Sequence, residues 1–151
     1  MPPGSEIADG MRLGIDEFER RATLARRLGS RDRFELLDGV VLMSPPPGAH
    51  DHAVPGNKIA RLLGSYEEST PGTIAGDNGG FRTDRTWVGP DYFLLIDPAC
   101  GGQIGDWQTH VALPELCVAI ANTALATDLT TKKDLYARYG TQEYLVHDVR
   151  G

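Results

Sequence analysis

Apolar and polar positions recur at two different periods along the chain, and each change of period marks a new element. Phe18, Ala22, Ala25 and Leu28 share one face of a helix predicted from Ile15 to Leu28, which Gly29 ends. The period then falls to two. Phe34 and Leu36, then Val40 and Leu42, alternate about Asp38-Gly39, so "RFELLDGVVLMS" predicts a hairpin. Ile59, Leu62, Leu63 and Tyr66 return to the i, i+3, i+4, i+7 spacing of a second helix. Pro55-Gly56 sets its firm part to begin at Pro55, and "STPG" closes it. Ile74 to Phe81 is weakly strand-like and rich in glycine; Trp87-Val88 and Tyr92 to Ile96 are predicted strands. "LCVAIA" is a short buried strand. "LTTKKDLYARY" is a third helix, capped by Thr127 or Asp128 and closed by Gly140, and "EYLVHD" is a last strand. "PPPGAH" and "PACGGQIGDWQTH" are loops. This order predicts one α/β domain with a mixed sheet over residues 13–151, after a disordered Pro- and Gly-rich segment, residues 1–12.

Composition narrows the class. A chain of 151 residues, 40% hydrophobic and 24% charged, is ordinary for a globular protein with a real core. No apolar run reaches the roughly 20 residues of a membrane span, and "MPPGSEIADGM" has no secretory pattern, so no membrane association is expected. Cys100 and Cys117 form no C-x-x-C pair and read as reduced thiols of a cytoplasmic protein, with Cys117 as inert packing. The net charge of −6 is the wrong sign for gripping nucleic acid by general electrostatics. It leaves room for a local basic patch at Arg20-Arg21 and Arg26-Arg27.

The chemistry centres on "WVGPDYFLLID". Asp91 stands where an apolar strand begins to enter the core, and a carboxylate there is costly unless it is paired, hydrogen-bonded or bound to a metal. Two readings compete. Gly89-Pro90-Asp91 is good turn chemistry. Alternatively, Asp91 is half of a metal site. A metal-dependent phosphodiesterase needs two or three carboxylates holding Mg²⁺, which lowers the pKa of a water, and a lysine that faces the developing charge. The usual arrangement takes an Asp from the start of one strand, a Glu from the middle of the next, and a nearby Lys. Asp91 fits the first role and Lys132 the last, but the strand between them, "PELCVAIAN", offers Ala119.

Here the chain resembles the Uma-two family of putative restriction endonucleases, which are similar to the PD-(D/E)XK nucleases. The likeness runs from about Phe34 to Asp148. "RFELLDGVVLMSPP" resembles the family's opening hairpin, with Glu35 at its acidic position. "GAHDHAV" resembles its His-led helix, with His50 as counterpart, and "GPDYFLLID" its Pro-Asp strand, with Asp91. "LPELCVAIANTALATDLTTKKDLYARYGTQEYLVHD" resembles its longest signature, where Asp128 and Lys132 match the Asp and Lys, and Tyr136, Gly140, Glu143 and Tyr144 match the tail. The resemblance implies a restriction-endonuclease-like α/β fold, a central mixed sheet flanked by helices. It implies a Mg²⁺- or Mn²⁺-dependent DNA endonuclease in which Asp91 binds the metal, Lys132 positions water or stabilises charge, and Glu35 supports the site.

Three departures qualify that implication. The family's metal-binding strand Glu is replaced by Ala119. Glu115 lies about 13 Å from the vacancy and Asp97 about 20 Å past Asp91, too far to substitute. Asp128 or the neutral oxygen of Asn122 is the nearer replacement. Activity is therefore expected to be weak or lost, the alternative being a lapsed nuclease-fold module that acts as a binding or interaction protein. Pro55-Gly56 falls inside the expected helix. The family also continues into further strands beyond the position of Gly151, so a sheet edge is expected to stand exposed or be covered by a homodimer. Bland readings stand beside each residue: Lys132 as a helix lysine paired with Asp128, Glu35 as an exposed strand residue, Asp128 as an N-cap, Tyr136 and Tyr139 as core, and His50-Asp51-His52 as helix-start polar residues rather than a zinc cluster.

Overall fold

A computed structural model describes residues 4–46, 48–104, 112–121 and 125–150. In chain order the first elements are α1 (Ile15–Arg27), β1 (Arg33–Leu37), β2 (Val40–Ser44), a π-helical turn (Ala49–Ala53), α2 (Val54–Ser69), β3 (Thr73–Asp77), β4 (Phe81–Arg82) and β5 (Trp87–Val88). After these come β6 (Tyr92–Ile96), a 3₁₀ turn (Pro98–Cys100), β7 (Leu116–Ala121), α3 (Leu125–Thr127), a second π-helical turn (Asp128–Lys132), α4 (Lys133–Arg138) and β8 (Glu143–Asp148). The chain packs as two compact units, one of residues Met1–Pro46 and Asp84–Val88, the other of Pro47–Thr83 and Gly89–Gly151.

The smaller unit is the predicted helix and hairpin. β1 and β2 pair antiparallel from Arg33↔Ser44 to Leu37↔Val40. Asp38 (φ 49) and Gly39 (φ 85) both take the left-handed backbone that a two-residue hairpin turn requires. β5 adds to the other side of β1 through Leu36↔Trp87. Phe18 and Ala22 of α1 close over Phe34, Leu36 and Val41, with Trp87 packed against the cluster. Past the end of α1, Gly29 (φ 96) lets its own N–H reach Arg26 O and the Ser30 N–H reach Ala25 O, each at 3.0 Å. Residues 8–12, for which composition predicts disorder, are tied to β2: Gly10 N–H donates to Val41 O and Val41 N–H to Met11 O, both at 2.8 Å. Strand pairing here outweighs the local Gly content. Arg20 and Arg21, read as part of a candidate basic patch, both bond Glu17, at 2.5 and 2.7 Å, and hold its carboxyl down at about 2.

The larger unit is built on a mixed sheet in the order β3-β6-β7-β8. β3–β6 and β6–β7 are antiparallel, and β7–β8 is parallel from Leu116↔Glu143 to Ala121↔Asp148. Paired residues share a face, so Tyr92, Leu94, Leu116, Val118, Glu143, Leu145 and His147 look one way. α2 crosses that face over β3 and β6. Gly56 is what admits it: a Cβ there would sit 2.6 Å from the Tyr92 hydroxyl, so the glycine that breaks the helical sequence pattern is a contact point. The stripe on α2 is not buried as its spacing predicts. Leu62 is 71% and Tyr66 49% exposed, and they border an open groove that runs toward β8. On the opposite face Tyr136 of α4 lies 4.8 Å from the Tyr144 ring, and Phe93 meets Phe81 edge to face at 4.9 Å. The third helix begins three residues before the predicted cap, at Leu125, so Asp128 is interior rather than an N-cap.

Gly76 and Gly79 leave the space that the Phe81–Phe93 pair fills. Substituting Gly76→Ala forces the Phe93 ring to move and is expected to cost about 1–3 kcal/mol in urea unfolding. Gly64→Ala, on α2 with no atom near its Cβ position, is expected to be neutral or to stabilise by up to about 1 kcal/mol.

Candidate active site

The opening strand of β6 explains its own acid. Asp91 is 5% exposed, yet each of its carboxylate oxygens has a hydrogen-bond partner. One oxygen, Oδ2, accepts the Ile120 N–H of β7 at 2.7 Å; the other, Oδ1, lies 2.9 Å from His52 Nε2, so each oxygen has a partner and a second lone pair besides. Its carbonyl accepts from Asn78 N–H at 3.2 Å, at the end of β3. Asp91 thus joins three chain segments, which neither of the two competing readings of its sequence context describes by itself. The β6–β7 register, Tyr92↔Val118 and Phe93↔Cys117, extends by one step to set Asp91 opposite Ala119, which is itself buried.

Lys132 and Asp128 come together as the i, i+4 spacing predicts, with Nζ 3.5 Å from Oδ1. Both are buried, at 9% and 4% exposure, so the pair is not the solvated helix pair of the bland reading. Burial makes it consequential, because removing one partner leaves the other charge in a poor solvent. Glu35 is also buried, at 4%, on β1 opposite Leu42, which corrects its reading as an exposed strand residue. It belongs to the smaller unit, whereas Asp91, His52, Asp128 and Lys132 belong to the larger.

Two of these side-chain groups sit on π-helical turns: His52 on Ala49–Ala53, and Asp128 with Lys132 on Asp128–Lys132. A π turn inserts one residue into an α-helical path and is found disproportionately at functional sites. Sequence periodicity does not reveal it, so His52, read only as one of the helix-start polar residues His50-Asp51-His52, was not matched to Asp91. The sequence likeness pointed to His50, whose side chain lies outside what is described, while the adjacent "HDH" spacing held the residue that meets Asp91. Asn122, one of the two suggested replacements, lies outside the described residues.

The other acids near the sheet are committed elsewhere. Glu115 accepts Ile96 N–H at 3.1 Å and Gln103 N–H at 2.9 Å, stapling the loop after β6. Asp97 caps the 3₁₀ turn through Ala99 N–H at 2.8 Å. Among the described residues no three His, Cys, Asp or Glu side chains converge as a metal site. Each Asp91 oxygen accepts one hydrogen bond and keeps a second lone pair, while Ala119 opposite brings no donor. Burial, then the nearby Asp77 and Asp91 charges, push the Tyr92 hydroxyl above its usual range, so it stays a neutral phenol. Burial likewise raises the Cys117 thiol, in line with inert packing.

The model of the Uma2 family, described as "Putative restriction endonuclease", matches residues 15–151. No curated protein matches. Among solved structures the chain is similar to a putative nuclease belonging to DUF820 from Anabaena variabilis ATCC 29413, with TM-score 0.65 and 17% identity. That likeness covers 90% of this chain and 74% of the other. Among the described residues no helix is long and apolar enough to cross a membrane.

Truncating Asp91→Ala leaves the buried Ile120 N–H and His52 without their acceptor, and is expected to cost roughly 1–3 kcal/mol in chemical denaturation. Asp91→Asn keeps one acceptor oxygen and is expected to cost less, which makes it the better control for activity.

Proposed function

This chain belongs to the Uma2 family of putative restriction endonucleases, and from that premise we propose that it is a nuclease-fold protein whose phosphodiester hydrolysis is weak or lost. The substrate class is DNA. Asp91 and Lys132, both of the larger unit, are the residues of the ancestral site, with His52 added to it. The observation that carries the reading is the state of Asp91. Its two oxygens are taken by Ile120 N–H and His52, and the residue opposite is Ala119. The register supports Ala119 as the position of the missing strand acid, since a side chain there shares a face with Asp91.

A bound Mg²⁺ or Mn²⁺ would activate water and offset phosphate charge. Asp91 would hold it alone, since position 119 brings no acid to share it, and the rest of the chemistry is that of the chain's own side chains. His52 and the Ile120 N–H hold the Asp91 carboxylate in one orientation and offset its charge. Asp128 holds the Lys132 ammonium in a buried position, from which it would face an anionic phosphate. Those groups bind and orient; they do not make a hydroxide. The same observation favours a second reading, a lapsed member that binds nucleic acid or a protein without cutting. The acidic net charge of −6 gives DNA binding no general electrostatic support.

Plasmid nicking with Mg²⁺ and with Mn²⁺ tests the first reading. Cleavage is expected to be slow or absent in the native chain, and any true activity is expected to vanish in Asp91→Asn. Robust cleavage that Asp91→Asn abolishes would show a complete site and overturn the attenuated reading. Calorimetric titration of Mn²⁺ into Ala119→Glu is expected to show binding at least about tenfold tighter than the native chain, the size of one added interaction of about 1.4 kcal/mol. Unchanged affinity would refute position 119 as the vacant ligand position.

A further inference from the structure

The helical segment that begins at Ala49 meets the start of β6 at two neighbouring points. His52 Nε2 lies 2.9 Å from Asp91 Oδ1, and four residues on, Gly56 rests against the ring of Tyr92. Residues four apart share one side of a helix, and Asp91 and Tyr92 are consecutive, so the two contacts lie side by side. Gly56 is the one buried residue of α2, and what it presents is bare backbone. A Cβ at position 56 would stand 2.6 Å from the Tyr92 hydroxyl and 3.3 Å from Cε2 and Cζ. The edge of the phenol, not its tip alone, lies against the helix. Tyr92 itself has little freedom to yield. Its backbone is paired on both sides, with Asp77 of β3 and Val118 of β7, which fixes the direction of its side chain.

We propose that Gly56 and Tyr92 are positioning residues for the Asp91 carboxylate: the bare backbone at 56, seated on the Tyr92 ring, sets the distance at which His52 meets Asp91. The glycine lets α2 approach the ring, and the ring stops it there. His52, one turn earlier, then falls within hydrogen-bond reach of Oδ1. A methyl group at 56 must part from the hydroxyl by roughly 1 Å to reach an ordinary contact. If the helix start yields, the imidazole goes with it, and a hydrogen bond of 2.9 Å lengthened by that much is lost. Asp91 keeps the Ile120 N–H, which comes from β7, but loses the partner that orients its other oxygen. That orientation decides where the remaining lone pairs point.

The competing outcome is local. A cavity of about 240 Å³ lies beside the ring, lined by Leu63, Gly64, Ala75 and Asp77 among others. Were Tyr92 to swing into it, a side chain at 56 would be accommodated with α2 in place, and Gly56 would have no bearing on Asp91. The pairing of Tyr92 on both sides opposes that swing, because the whole ring edge, and not the hydroxyl alone, has to clear the helix. The functional meaning of the spacer rests on the reading of Asp91 as the acid of the site. The contact itself is measured whether or not the chain cuts DNA.

Double-mutant cycles in urea, on the full chain, read the His52–Asp91 contact directly. In the native background His52→Ala and Asp91→Ala are expected to be non-additive by about fivefold or more in the unfolding constant, and additivity there overturns the proposal at the outset. In a Gly56→Ala background the two are expected to become additive. Adding Tyr92→Phe removes the 2.6 Å clash, leaves the 3.3 Å contacts, and is expected to restore most of the non-additivity. Gly64→Ala, on the same helix with no atom near its Cβ position, is expected to leave it untouched. Non-additivity that survives Gly56→Ala would show the ring moving aside, and would overturn the proposal. A loss that Tyr92→Phe does not reverse would mark general damage to α2, and would overturn it equally. Should Gly56→Ala not fold, Tyr92→Leu gives a second route, since it removes the ring beneath an intact glycine. It is expected to abolish the non-additivity while Tyr92→Phe alone keeps it; equal values in the two variants overturn the proposal.

Discussion

The larger unit hangs on one buried carboxylate. Asp91 closes the entry of β6 by taking a β7 amide with one oxygen and the His52 ring with the other. A carboxylate at 5% exposure is unfavourable unless hydrogen bonds replace its lost water, and here they do. The arrangement restricts the chemistry. The two hydrogen bonds fix which way the remaining lone pairs of the carboxylate point. The same group therefore secures the sheet in a position where the residue across the strand pair, Ala119, contributes no donor of its own.

Acids elsewhere in this unit follow the same logic. Glu115 holds two amides of the loop after β6, and Glu67 takes the outward amide of β3. Each meets an amide that the sheet or loop leaves over. An excess of acidic residues in the composition thus does not by itself describe a surface field. Several of those charges are engaged by backbone donors, and Glu17 by two arginines. The local basic patch suggested by Arg20 and Arg21 is correspondingly reduced.

Much of the fold was legible because its elements obey one period each. The hairpin about Asp38-Gly39, the helix ended by Gly29, and the strands at Tyr92–Ile96, Leu116–Ala121 and Glu143–Asp148 follow from alternation and turn chemistry. Asp91 was legible as an anomaly, a charge at the mouth of an apolar run. Lys132 and Asp128 were legible as a spaced pair. The features that were not legible have physical reasons. The spacing of Leu62 and Tyr66 reports a helix face but not whether anything covers it, and nothing in this chain's described residues does so fully. Gly56 looked like a break because sequence shows no Tyr92 hydroxyl against it. Asp128 looked like a cap because a helix that begins at Leu125 and then widens does not keep a 3.6-residue rhythm. Glu35 looked exposed because alternation in a hairpin does not say which of its two faces is covered.

The widened turns carry a consequence of their own. A π turn holds one residue more than the α path needs, and the α path is the easier one to form. Losing one residue between Asp128 and Lys132 would let that segment relax into ordinary helix, rotating the residues before the deletion by about 100° relative to those after it. Leu135 and Tyr136, downstream and deeply buried, would hold their places, because the core fixes them. The adjustment would fall on the polar pair. In a chain so built, a shift in length of one residue works as a gear: it can turn Asp128 away from Lys132 while the hydrophobic scaffold stays engaged.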